Sequence, residues 1–139
     1  MTLELASQLA SQAIATCTAA GFNVSVVVDD RAGQERVASR SDMAGPHTLV
    51  AAREKAYTSA SSRVSTQALG ERSRAPGGPA YLTYIPGFLL LGGGVPVNAG
   101  GEVIGAIGVA GAPSGLQDER CALTAIELLK DKISPGNSH

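Results

Sequence analysis

Gly92-Gly93-Gly94-Val95-Pro96-Val97-Asn98-Ala99-Gly100-Gly101-Glu102-Val103-Ile104-Gly105-Ala106-Ile107-Gly108-Val109-Ala110-Gly111 is the stretch that decides the fold. Apolar, often β-branched residues alternate with glycines, and Asn98-Ala99-Gly100-Gly101 interrupts the run. The pattern predicts two strands meeting at a tight hairpin. The glycines allow positive φ at the turn. Within the strands they leave flat places where a second backbone or a flat ligand can come close.

Working outward, the other segments sort by period. Leu3, Ala6, Ala10, Ala13, Ile14 and Cys17 form one helical face that ends near Gly21. Val24, Val26 and Val28 predict a strand, Asp30-Arg31-Ala32-Gly33 a turn, and Gln34 to Arg40 the returning strand. A second helix is expected from about His47 to Ser62, with Pro46 suited to its first turn and Leu49, Ala52, Ala56 and Ala60 facing inward. A short third helix is expected around Thr66 to Arg72. Phe88 to Leu91, Val95 to Asn98 and Glu102 to Ala110 read as three further strands. A last helix turns Ala122, Ala125, Ile126, Leu129 and Ile133 inward, and Ser134 to His139 reads as a frayed tail. The order αββααβββα predicts one α+β domain over residues 1–139, with an antiparallel sheet of five strands and helices covering it. Val24 to Asp29 and Val103 to Val109 are its expected central strands.

Composition narrows the function classes. A net charge of −1 with no acidic or basic block gives no ground for a nucleic-acid partner. No stretch has the length of a membrane span. Met1 to Ala6 lacks the basic and continuous apolar regions of a secretory signal, so a cytoplasmic location is expected. Trp is absent and only 4% of residues are aromatic, so Ala, Val, Leu and Ile must build the core. Cys17 and Cys121 read as small buried apolar residues, with a disulfide or a reactive thiol as the alternative.

Common catalytic signatures are missing: there is no phosphate-binding loop, paired CxxC, HExxH or GxSxG. His47 is the only internal histidine. It could serve as a single axial ligand to a metal centre or as an acid–base group, or be an ordinary helix-start residue. Arg53 and Tyr57, four apart on one helix face, could bind a carboxylate such as a heme propionate or a small acid. Thr66 reads as a helix-start or ligand-contact residue, and Glu102 as a turn charge or a base. The expected site lies where the glycine hairpin approaches the start of the second helix. There Gly93 and Gly94 would leave room for a flat group, and a neighbouring subunit could help close it.

Five segments taken together go further. They are Asp29-Asp30-Arg31-Ala32-Gly33, Asp42-Met43-Ala44-Gly45-Pro46, Arg53-Glu54-Lys55-Ala56-Tyr57-Thr58-Ser59-Ala60, Ile85-Pro86-Gly87 with Gly92 to Val97, and Ile104 to Gly115. In this order they resemble the GlcG/HbpS family, which includes the carboxy-terminal domain of PduO-type proteins. The resemblance runs from about Val24 to Ala125. It implies a profilin-like fold, with a five-stranded antiparallel sheet between helical layers, and homo-oligomers. It also implies heme binding or degradation in some members. Lys55-Ala56-Tyr57-Thr58-Ser59 matches the family's Lys-Ala-x-Thr-Ala pattern with Ser59 for the usual Ala. A Pro-Thr pair used at the heme site of a secreted relative maps onto Ser65-Thr66, without the Pro. The first helix has no histidine to match the heme ligand of PduO-type domains.

Three functions follow as expectations. The first is an oligomeric small-ligand protein that takes heme or a related flat cofactor, with His47 as the metal ligand. The second is a cofactor-independent enzyme moving protons on a small organic acid or reactive intermediate, with His47 and Glu102 as catalytic groups. The third is a non-catalytic oligomeric scaffold. In the first two, Arg53, Tyr57, Thr66, Gly93 and Gly94 would contact the ligand.

Overall fold

The hairpin at the centre of the sequence closes through Gly100 and Gly101, both at positive φ (58° and 86°). Ala99 pairs with Glu102 across them, so the loop is two residues long, the geometry whose twist suits two antiparallel strands. A computed structural model describes residues 1–135. Residues 136–139, part of the expected tail, lie outside the described residues.

The elements are α1 (Leu3–Ala19), β1 (Ser25–Asp30), β2 (Glu35–Arg40), α2 (Pro46–Ser62) and α3 (Thr66–Arg74), then a 3-10 turn (Ala80–Tyr84). After it come β3 (Gly94–Ala99), β4 (Glu102–Ala110), α4 (Gly115–Leu128) and α5 (Lys130–Ile133). All pairings are antiparallel in the order β2-β1-β4-β3, so the two strands expected at the centre are there.

Among the described residues the sheet has four strands, not the expected five. Phe88 to Leu91, expected as a strand, pairs with no ladder. Its backbone is used elsewhere. The Leu89 N–H donates to Thr58 Oγ1 (2.9 Å), and the Leu91 carbonyl accepts from Thr66 Oγ1 (2.5 Å). A polar side chain from α2 and another from α3 therefore satisfy groups that a strand would have offered to a neighbour. The run is apolar enough for a buried strand, but periodicity cannot reveal that competition.

Helices cover both faces, as the profilin-like expectation requires. One face packs α1 and α4 against Val26 and Val28 of β1, Val95 and Val97 of β3, and Ile107 and Val109 of β4. The other face carries Val27 beneath Ala52 and Ala56 of α2. Strand alternation explains the division, because neighbouring residues of β1 point to opposite faces. Helix α2 sits very close to the sheet. A Cβ at Gly108 would run into the Ala52 carbonyl, and one at Gly94 into the Lys55 carbonyl. These strand glycines admit a helix backbone rather than a flat ligand. The stripe Ala52, Ala56, Ala60 is buried inside the chain, as its expected inward face requires, and is not open to a second copy.

Cys17 and Cys121 are buried, as expected, but they are joined in a disulfide rather than left as separate thiols. Each helix presents its cysteine on the face packed against the other, and the bond ties α1 to α4. Leu3, expected on the inner face of α1, is 57% exposed, because the packed stripe begins at Leu5.

Candidate functional site

Helix α2 begins with Gly45 as its cap residue and Pro46 in its first turn, and no side chain caps it. Thr48 anchors this start. It donates to the Gly45 carbonyl (2.6 Å) and accepts from Ser25 Oγ of β1 (2.8 Å). His47, between these fixed points, stands exposed at the mouth of a cavity of about 700 Å3. The cavity runs between the starts of α2 and α4. Phe22, Met43, Leu90, Leu91 and Pro113 supply apolar wall, and Gln67 and Arg74 enter from α3.

The floor is a buried ion pair. Lys55 is 4% exposed and Asp118 3%. Lys55 Nζ donates to Asp118 Oδ2 (3.2 Å) and to the Val109 carbonyl (3.1 Å). Asp118 Oδ1 accepts the Ala112 N–H (2.9 Å). Burial pushes the Asp118 carboxyl above its usual range, while Lys55 and the Ala112 N–H pull it back. The pair joins α2, the end of β4 and the first turns of α4 at one point. Ser114 caps α4 by accepting from the Gln117 N–H, so two helix N-termini border the same cavity.

The residues expected to form one site are divided. From His47 to Arg53 an α-helix turns through roughly 240°, so the two leave α2 in different directions. His47 faces the large cavity. Arg53 and Tyr57 line a second one, of about 370 Å3, near the β1–β2 turn. There Arg53 Nε pairs with Glu35 Oε1 at 2.8 Å, both partly exposed. Tyr57 meets Phe88 edge-on with ring centroids 6.0 Å apart. Thr66 is fully buried: besides binding the Leu91 carbonyl, its hydroxyl accepts the Gly94 N–H (2.9 Å), which clips the start of β3 to α3. Gly93 and Gly94 are buried beside Lys55 and do not line the cavity wall, which Gly92 does. Glu102 lies exposed on the hairpin turn and lines neither cavity.

Sequence reading missed Lys55 and Asp118 as a pair. A signal for Lys55 exists in its spacing. Thr48, Ala52, Lys55, Ala56 and Ser59 fall at i, i+4, i+7, i+8 and i+11, which is one buried stripe with a lysine in it. A lysine there needs a buried partner. The partner is 63 residues away, and no local pattern names it.

Comparisons with known proteins agree with this architecture. The model of a family described as "Haem degrading protein HbpS-like" matches residues 1–127. Protein GlcG of Escherichia coli (strain K12) is 36% identical over 109 residues, covering 76% of this chain and 80% of GlcG. The crystal structure of a double mutant of HbpS from Streptomyces reticuli superposes with a TM-score of 0.87 at 41% identity, over 93% of this chain and 86% of that one. That of a PduOC:heme complex gives 0.82 at 26% identity, over 91% and 93%. Matched over nearly its whole length, the chain belongs to the HbpS-like family.

Proposed function

We propose that the chain binds heme in the large cavity, with His47 as the iron ligand. The observation that carries the reading is that the one internal histidine stands at the mouth of a cavity of about 700 Å3 with apolar side chains in its wall. The donor set fits the group. A porphyrin needs an apolar slot, an axial donor and cations for its propionates. Phe22, Met43, Leu90 and Leu91 offer the slot, His47 the imidazole, and Arg74 with the N-terminus of α2 the positive field. The volume lies within the usual range of small-molecule pockets, about 300–1,000 Å3. The names of the family and of the PduOC:heme complex support the same ligand class.

Bound heme would supply a redox-active iron. The part of this chain is to hold and shield it. His47 sits on a helix start fixed by Thr48, so its backbone position is set before any ligand arrives. Lys55 is already committed to Asp118 and Val109, which leaves Arg74 as the cation better able to reach a propionate.

In a heme titration the wild-type protein should give a saturating, shifted Soret band. His47→Ala should change the position of that band and weaken binding by at least about tenfold, the equivalent of 1.4 kcal/mol. A band and an affinity unchanged in the variant would remove His47 from the site. No band at all in the wild type would sink the heme reading.

A second reading is favoured by the two helix N-termini at the cavity. Backbone N–H groups there suit a small organic acid, and His47 could move a proton on it without a cofactor. Saturable binding of small carboxylates in a protein that gives no Soret band would select this reading. Glu102, exposed on the hairpin turn, has no position from which to assist in the same cavity.

Self-association belongs to the proposal as well. With the α2 alanines buried, the exposed apolar side chains open to it include the stacked rings of Tyr81 and Tyr84, and Ile85. Light scattering at micromolar concentration should give a mass above that of one chain, and a monomer would count against it. A cytoplasmic location requires Cys17 and Cys121 to keep their bond, or to stay packed as thiols, in a reducing compartment.

A further inference from the structure

Asp29 is a buried carboxylate that neither the fold nor the heme reading uses. It sits on β1 on the same face as Ser25 and Val27, turned toward α2. As a residue it is 2% exposed, and Ser41 Oγ, not a carboxylate oxygen of Asp29, is the fully buried side-chain atom left without a partner among the described residues. It lines the second cavity, on the flank of α2 opposite His47. Among the described residues the one side-chain cation lining that cavity is Arg53, and its Nε is held by Glu35. Glu54 adds a third carboxylate to the wall. The remaining surface is apolar: Val50, the Tyr57 ring, Pro86 and Gly87. Gly33 and Gly87 lie against opposite edges of that ring, so the slot is shaped by close contact.

A largely buried carboxylate that lines an apolar cavity is costly to ionise, and a cation placed in that cavity would offset the cost. Three ligand classes compete. An anion would meet three carboxylates and a guanidinium already paired with one of them through Nε. A bare divalent cation prefers several oxygen ligands, and no group of three or more His, Cys, Asp or Glu placed for a metal exists among the described residues. A small organic ammonium ion meets neither objection. Its N–H groups would donate to Asp29, and its hydrocarbon body would lie against Tyr57, Val50 and Pro86.

We propose that this second cavity binds a small organic ammonium ion, with Asp29 as the anchoring carboxylate. The groups facing Asp29 make binding pH-dependent. They are Asp30 beside it on β1, Glu35 opposite on β2, and Arg53, Glu54 and Tyr57 on α2. Burial, then Glu35 and Asp30, lift the Asp29 carboxyl to about 7 against the pull of Arg53. Only the ionised form pairs with an ammonium, so affinity should fall as pH drops through that value.

Benzylammonium chloride is a suitable probe, with benzyl alcohol and benzoate as its neutral and anionic twins. The readout is the amide shift of Gly33 and Gly87 in a nitrogen-edited NMR spectrum. At pH 8 benzylammonium should shift both saturably, and the twins should not. Affinity should drop about tenfold at pH 6, where one carboxyl in ten with a pKa near 7 is ionised. Asp29→Asn should weaken binding at least about tenfold at pH 8. If that variant does not fold, the pH series on the wild type decides. The proposal is overturned if benzylammonium gives no saturable shift, if benzyl alcohol or benzoate binds as well, or if neither pH nor the substitution alters affinity. His47→Ala leaves this cavity untouched, so failure here and failure of the heme reading are separate results.

Discussion

Replacing both cysteines, Cys17→Ala together with Cys121→Ala, should lower the unfolding free energy by about 3–5 kcal/mol. The bond closes a loop of 104 residues in sequence, three quarters of the chain. In the unfolded ensemble such a closure removes much conformational freedom, and the chain-entropy estimate for a loop near 100 residues is about 4.7 kcal/mol. Loss of the two sulfurs from a packed layer adds to the effect, since α1 and α4 meet there with Ala13, Ala122 and Ala125 around them. A domain of this size has a total stability of about 5–15 kcal/mol, so the variant should approach marginal folding. Urea unfolding followed by circular dichroism measures it directly. A loss under about 1 kcal/mol, or two free thiols titrating in the unfolded wild type without reductant, would show that the bond does not stabilise the protein.

Lys55→Met should cost about 3–5 kcal/mol, the range for removing one partner of a buried ion pair. The substituted chain still fills the space over Gly93, but Asp118 keeps only the Ala112 N–H as donor. Its carboxyl then rises further and takes up a proton, which limits the cost at low pH. Folded Asp118 already has a raised value, so its ionisation weakens folding progressively as pH climbs from 3.8 through that raised value. Above this window the single variant should therefore be least stable relative to wild type, and it should recover as the pH falls. The double variant Lys55→Met with Asp118→Asn should be more stable than the sum of the two single losses predicts, because no unpaired charge remains. Strict additivity in that cycle would mean that the two residues do not act as a pair. The effect on ligand binding should follow, since the pair fixes the floor of the large cavity and the first turns of α4 against β4.

Much of the fold was legible. The hairpin at Gly100-Gly101, the central position of β1 and β4, and the helices α1, α2, α3 and α4 all follow from period and turn chemistry. The fifth strand failed at Phe88 to Leu91 because two threonines from distant helices take its backbone groups. The candidate site was legible only in part. His47 does border the large cavity, but Arg53 and Tyr57 lie six and ten residues further along the helix and face another flank. Gly93 and Gly94 suggest room for a ligand in the sequence, and that room is filled by α2 and Lys55.

The sequence by itself determined which faces are apolar, where the chain turns, and that small residues allow elements to approach closely. These are local properties, set by side-chain period and by the φ preferences of Gly and Pro. Tertiary structure decided what comes close: the α2 backbone against Gly94 and Gly108, Lys55 against Asp118, Cys17 against Cys121, and Asp29 against an apolar cavity. Each of these depends on elements far apart in the chain being brought together by core packing. Burial then changes the chemistry, because a lysine or an aspartate cut off from water must be paired, neutralised or supplied with a ligand.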